Sequence, residues 1–234
     1  MSAPLAALLV LVPAYLLGAL PWGLWVGHAR GLDVRRHGSG NLGATNVYRT
    51  LGPRYGLLVL ALDAAKGAVA VAWAHLGPLG AAFPGGVAWA ALGAGLAAIV
   101  GHVLTVFAGF RGGRGVATTV GVFLALAPAA MLLGLAGFGV AFALTRRVSV
   151  GSLALAAVFP AGIWWTVHGQ DRVRLFALGL AVSALIVYRH WPNIRRLVRG
   201  EEPRISLRGQ AGAPVGDGPG RGETERGNER EGGR

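Results

Sequence analysis

The chain has 234 residues, 53% of them hydrophobic and 14% charged, with a mean hydropathy of +0.53 and a net charge of +12. That balance fits a protein dissolved in lipid and argues against a disordered or ordinary water-soluble chain. Cysteine is absent, which excludes disulfides and thiolate metal sites, and the arginines collect in short segments between apolar runs, a pattern of membrane topology rather than nucleic-acid binding.

The first apolar run, Pro4 to Val26, has no basic region before it and is longer than a signal-peptide core, so it reads as a retained span. Its cationic flank, Arg30, Arg35 and Arg36, lies on the C-terminal side, which puts the N-terminus outside and the first long loop in the cytoplasm. That loop holds a polar island, His37 to Arg49, with Ser39, Asn41, Thr45, Asn46 and Arg49 set among Gly38, Gly40 and Gly43. Gly38-Ser-Gly-Asn-Leu-Gly43 satisfies G-x-G-x-x-G, but a membrane span precedes it where a dinucleotide fold needs a strand. The physical content survives: glycines let backbone N–H groups approach an oxyanion closely. Nearby, His28 and Asp33 form an H-x-x-x-x-D pair, the pattern of one large class of acyltransferases; one match among six histidines is easily produced by chance.

Further apolar runs follow at about 55–77, 84–101, 116–144, 149–167 and 173–190. None alternates with period 2, and backbone groups in lipid must be satisfied within the segment, so all are helices. Asp63 and Lys66 are three residues apart on one face of the second, either as a structural ion pair or with Lys66 reaching a ligand. After the third comes Gly109-Phe-Arg-Gly-Gly-Arg-Gly-Val-Ala-Thr118, which lacks the Walker spacing. Its glycines, its guanidinium groups on Arg111 and Arg114 and the helix starting at Val116 nevertheless make a phosphate cradle. The run 116–144 is longer than the roughly 20 residues of one span and carries Ala127-Pro128 near its middle. Splitting it there gives seven transmembrane helices with a cytoplasmic C-terminus, and one tilted helix is the alternative. The last run ends at His190, Asn193 and Arg196, spaced along one helix side. Residues 1–204 thus read as an all-α transmembrane domain and 205–234, rich in Gly, Arg and Glu, as a disordered tail.

Three polar segments therefore face one side of the membrane: 37–52, 101–119 and 189–204. Together they resemble the PlsY family of bacterial membrane acyl-phosphate:glycerol-3-phosphate acyltransferases. Gly38-Ser-Gly-Asn-Leu-Gly-Ala-Thr-Asn-Val-Tyr-Arg-Thr-Leu-Gly52 is similar to the family's first cytoplasmic motif almost residue for residue. Gly101-His102, Val106-Phe107 and Phe110-Arg-Gly-Gly-Arg-Gly-Val-Ala-Thr118 resemble the second; Arg189-His190, Asn193-Ile194, Arg196-Leu197 and Gly200-Glu-Glu202 the third. Asp63-Ala-Ala-Lys66-Gly67 matches a further feature, and the likeness spans about residues 4–205. Leu104-Thr105 departs from the usual aromatic-proline pair, and Arg111 and Arg114 stand where lysine is common.

The resemblance implies acyl transfer from an acyl phosphate to the sn-1 hydroxyl of glycerol 3-phosphate, giving lysophosphatidic acid and phosphate, at the cytoplasmic face of the bacterial plasma membrane. It places the chain downstream of an acyl-phosphate-forming enzyme. Two phosphate substrates need two anion sites, which the sequence offers, and membrane lipids are the other expected partners; no cofactor, metal or nucleic acid is implied. Candidate catalytic residues are Ser39, Arg49, His190 and Asn193. Candidate binding residues are Gly38, Gly40, Asn41, Gly43, Thr45 and Asn46 in the first segment, Lys66 and His102 on helices, Arg111, Gly112, Gly113, Arg114, Gly115 and Thr118 in the second, and Arg196 and Glu202 in the third. In this reading Ser39, Arg49, His190 and Asn193 hold glycerol 3-phosphate, and Arg114, helped by Lys66, stabilises the acyl phosphate. The proton acceptor is His190 or a substrate phosphate. A covalent route through Ser39 is the weaker alternative, because no nucleophile elbow surrounds it.

Overall fold

The computed structural model describes residues 1–205, so the expected disordered tail lies almost wholly outside the described residues. These hold eleven α-helices, two short 3-10 turns and no strand. α1 (Ala3–Ala19) and α2 (Trp22–Ala29) follow one another across a break at Leu20-Pro21, and α3 (Ala44–Leu51) leads through Gly52 into α4 (Pro53–Trp73). The short α5 (Pro78–Ala81) precedes α6 (Val87–Val103). α7 (Val116–Leu126), α8 (Pro128–Thr145), α9 (Val148–Thr166), α10 (Asp171–Arg189) and α11 (Trp191–Val198) complete the chain.

Five segments are long and apolar enough to cross a bilayer: Ala3–Ala29, α4, Val87–Ala108, α8 and α9. The pair α10–α11, bent by 57°, makes a sixth. The run 116–144 breaks at Ala127, and Pro128 opens α8 because a first helical position needs no N–H. α7 has 11 residues, a rise of about 16 Å against a hydrocarbon core of about 30 Å. It is a short helix, and the count of five or six crossings by length and composition alone leaves it out.

Close packing of these helices rests on small residues, as expected where lipid is as apolar as leucine. α8 lies along α9 with Gly134 on Phe159, where an added Cβ would come within 2.7 Å of that side chain. α1 packs on α6 and α4 on α7, again with glycines at the contacts. The interior is filled by alanines and a few large groups, among them Met131, Ile163 and the edge-to-face pair Phe123 and Phe159, 4.9 Å apart. Leu8, Val140, Leu144 and Trp165 are more than half exposed, the outward apolar surface of a lipid-facing bundle. A second apolar cluster, Leu24, Val34, Leu42, Val47 and Val59, seats the 22–59 segment and carries the polar island.

Candidate functional site

The polar island folds around one side chain. Asn46 is 1% exposed; its amide donates to the carbonyls of Val34 (2.9 Å) and His37 (3.1 Å), and its Oδ1 accepts from the N–H (2.9 Å) and hydroxyl (3.2 Å) of Ser39. All its hydrogen-bonding capacity goes into holding the loop. Gly38 has φ +60°, and a Cβ there would strike Asn46 Oδ1. Asn41 Oδ1 accepts from Gly43 N–H at 2.8 Å, turning the chain into α3, which starts without a side-chain cap. Its first N–H groups, at Ala44 and Thr45, stay available to a ligand.

The second segment leaves α6 at Val103 and doubles back along it. Gly112 N–H donates to Val103 O and Gly113 N–H to His102 O, each at 3.0 Å. Arg189 Nη2, from the end of α10, donates to the carbonyls of Gly112 and Gly113 at 3.2 Å. α7 then starts at Gly115, whose φ of +85° favours glycine, again with no side-chain cap.

The third segment begins at His190, 1% exposed, between α10 and α11. Its Nδ1 donates to Ile186 O at 2.8 Å, which leaves Nε2 of the neutral ring as the lone-pair nitrogen. Asn193 Nδ2 donates to Glu202 Oε1 at 2.6 Å and Arg196 Nε to Glu202 Oε2 at 2.8 Å. Residues 200–205 thereby form a strap at this end of the bundle, with Ile205 on the cavity wall. Arg147 Nε holds the Glu202 carbonyl (3.1 Å), Arg49 Nη2 that of Pro203 (3.4 Å), and Ile205 N–H reaches Arg146 O (2.8 Å). Burial raises the Glu202 pKa, but hydrogen bonds from Asn193 and Arg196 outweigh it and hold the carboxyl below its usual value.

These segments enclose one cavity of about 700 Å³. Ser39, Asn41, Thr45, Arg49, Arg114 and His190 line its polar end, together with the starts of α3 and α7. Leu57, Leu60, Val120, Leu135, Phe138 and Phe142 line the rest. Burial lowers the Arg114 pKa to about 10; Glu202 opposes that, whereas Arg196, Arg49 and Arg189 push the same way. Burial likewise lowers Arg49. Both guanidiniums stay charged at neutral pH and share Glu202, while Asp63, the carboxylate on the cavity wall, is paired with Lys66, so the arginines leave a positive field at the polar end.

Residues 8–200 match the family described as glycerol-3-phosphate acyltransferase. The chain belongs to that family. It is 48% identical over 206 residues to the glycerol-3-phosphate acyltransferase of Anaeromyxobacter dehalogenans (strain 2CP-C), covering 88% of this chain and 100% of the relative. It is also similar to two crystal structures of PlsY, an integral membrane glycerol 3-phosphate acyltransferase, in its glycerol 3-phosphate and lysophosphatidic acid forms. Both are 35% identical over 86% of this chain and cover 96% and 95% of their own, with TM-scores of 0.76 and 0.75.

Within this glycerol-3-phosphate acyltransferase fold, the expected site residues divide into two sets. Gly43, Asn46, His102 and Gly115 join the six polar residues at the cavity wall. Gly38, Gly40, Arg111, Gly112, Gly113 and Thr118 do not line it; Arg111 is exposed and the paired glycines lie flat on α6. Asn193, Arg196 and Glu202 stand behind the wall as a clasp. Lys66 also faces elsewhere. Its Nζ lies 2.9 Å from Asp63 Oδ1 and donates to Leu20 O at 3.0 Å, at the α1–α2 break where Pro21 has no N–H to offer. Asp63 Oδ1 in turn lies 3.6 Å from His102 Nδ1. Asp33 binds Arg35 through both carboxylate oxygens, and neither it nor His28 lines the cavity, so the H-x-x-x-x-D pattern builds no dyad here. Sequence reasoning missed Ser152, which lines the wall from α9, and left Arg189, although part of the third motif, out of the candidate binding residues.

Proposed function

We propose that the chain transfers a fatty acyl group from an acyl phosphate to the sn-1 hydroxyl of glycerol 3-phosphate, giving lysophosphatidic acid and inorganic phosphate. The observation that carries this is the cavity itself, whose arginine-bearing end with two bare helix starts continues into an apolar arm. One phosphate-headed, long-tailed molecule and one small phosphate fit that combination. The attacking oxygen forms a bond to the acyl carbon, the carbon–oxygen bond to phosphate breaks, and the hydroxyl proton passes to His190 Nε2 or to a substrate phosphate oxygen. The donor carries its own activation, so the protein contributes positioning and charge stabilisation of the leaving phosphate. Arg49, Ser39 and His190 take glycerol 3-phosphate and the Arg114 loop takes the acyl phosphate. In this reading the polar end faces the cytoplasm with the N-terminus outside, an orientation that the excess of arginine there supports, and the enzyme sits in a bacterial plasma membrane, fed by an enzyme that makes acyl phosphate.

The test is purified protein in detergent with palmitoyl phosphate and glycerol 3-phosphate. Lysophosphatidic acid and phosphate are expected in equal amounts. Product from acyl-CoA and none from acyl phosphate overturns the donor assignment. His190→Ala retaining near-normal turnover at saturating substrate assigns the proton to the substrate phosphate.

A further inference from the structure

We propose that Arg189 is a positioning residue that, with the His102 end of α6, clamps the Gly112–Arg114 loop so that the backbone N–H of Arg114 stays bare at the cavity wall beside those of residues 115–117; this rests on the acyltransferase reading above. A trans peptide directs its C=O and N–H in opposite directions. In the Gly112–Gly113 unit the carbonyl accepts from Arg189 Nη2 at 3.2 Å and the N–H donates to His102 O at 3.0 Å, so the plane is pinned at both ends. In the next unit the Gly113 carbonyl accepts from the same nitrogen at 3.2 Å. The Arg114 N–H therefore points away from Arg189, and among the described residues it has no protein acceptor. The N–H groups of Gly115, Val116 and Ala117, at the cavity wall, are bare in the same way.

His102 is the opposite jaw. A Cβ on Gly112 would run into the His102 carbonyl and one on Gly113 into its imidazole, so the loop lies pressed against α6. Asp63, 3.6 Å from the other ring nitrogen, holds that imidazole. Arg189 reaches across from the last turn of α10, where a cation is also favoured by the helix dipole. Without it both glycine carbonyls lose their donor, and the Gly113–Arg114 peptide is free to turn its oxygen toward a bound phosphate.

The experiment compares wild type, Arg189→Met and Arg189→Lys by steady-state kinetics, melting temperature and hydrogen–deuterium exchange of the 109–115 segment. Lysine keeps donors within reach of the carbonyls, and methionine keeps only the bulk. The clamp requires Arg189→Met to lose at least 30-fold in kcat/KM, chiefly through KM of one phosphate substrate, and to exchange faster in the loop while α8 and α9 exchange as before. Arg189→Lys stays within fivefold of wild type in both readouts. Unchanged loop exchange in Arg189→Met, or faster exchange with unchanged kinetics, overturns the clamp. If Arg189→Met does not fold, Arg189→Lys decides: kinetics and loop exchange near wild type support a donor role, and a 30-fold loss overturns it. Wild-type protein that makes no lysophosphatidic acid overturns the reaction instead, and the exchange measurement still judges the clamp.

Discussion

Arg114 is the charged group whose removal bears most directly on the proposed chemistry, since it stands half-buried at the cavity wall amid other cations and keeps its charge at neutral pH. Arg114→Ala is expected to reduce kcat/KM by about 100-fold or more, the scale of losing one donor to a developing anion, while the melting temperature holds or rises as cation repulsion is relieved. Gly113→Ala is expected to be inactive for a different reason. Its methyl group meets the His102 ring, and overpacking of this kind costs about 1–3 kcal/mol, visible as a lower melting temperature alongside the lost turnover. Asn46 and Lys66 show where residue-level reading falls short. Both are polar residues in an apolar chain, and both are committed to protein groups: Asn46 to three loop residues, Lys66 to Asp63 and the Leu20 carbonyl at the α1–α2 break. A sequence shows that a polar group is present; only the fold shows which partner it has.

Among the elements, the strap after α11 and the wall formed by α8 make separable predictions. Glu202 binds Asn193 and Arg196 and titrates below its ordinary value of 4.5. A depressed carboxyl stabilises the fold fully above that value and loses the contribution as pH falls through its lower folded value. Melting temperature in detergent should therefore drop below about pH 4.5 in wild type, and in Glu202→Gln it should start lower and drop less. Phe138 and Phe142 are stacked 6.0 Å apart on α8 and both line the apolar arm. Phe138→Ala opens that arm, so the rate profile over acyl phosphates from dodecanoyl to stearoyl should shift toward longer chains; an unmoved profile removes Phe138 from chain selection. The helical class of every long run was legible from composition, and the break at Ala127 from its proline. The shortness of α7 follows from that break, and only whether so short a helix crosses the bilayer was not legible. An apolar sequence reads alike whether it crosses a bilayer or ends halfway.

For the whole molecule, the three polar segments share one end of the bundle. α9 and α10 carry 19 residues each between the cavity and the 167–170 turn, about 28 Å at 1.5 Å per residue. Single cysteines at Ser39, Arg111 and Arg195, all exposed, should label from the cytoplasmic side only, and one at His168 from the other side only. The cysteine-free background makes the result direct. Labelling of Ser39 and His168 from the same side would break the topology.

The sequence by itself determined the solvent class, the helical architecture and the three segments that meet, because hydropathy, helix breakers and glycine-arginine clusters are local properties of the chain. Only the tertiary structure decided which polar groups line the cavity and which stand behind it. Asn193, Arg196, Glu202, Lys66 and Arg189 find their partners 3 to 77 residues away in the chain, and hydrogen bonds across such separations are set by how the helices pack.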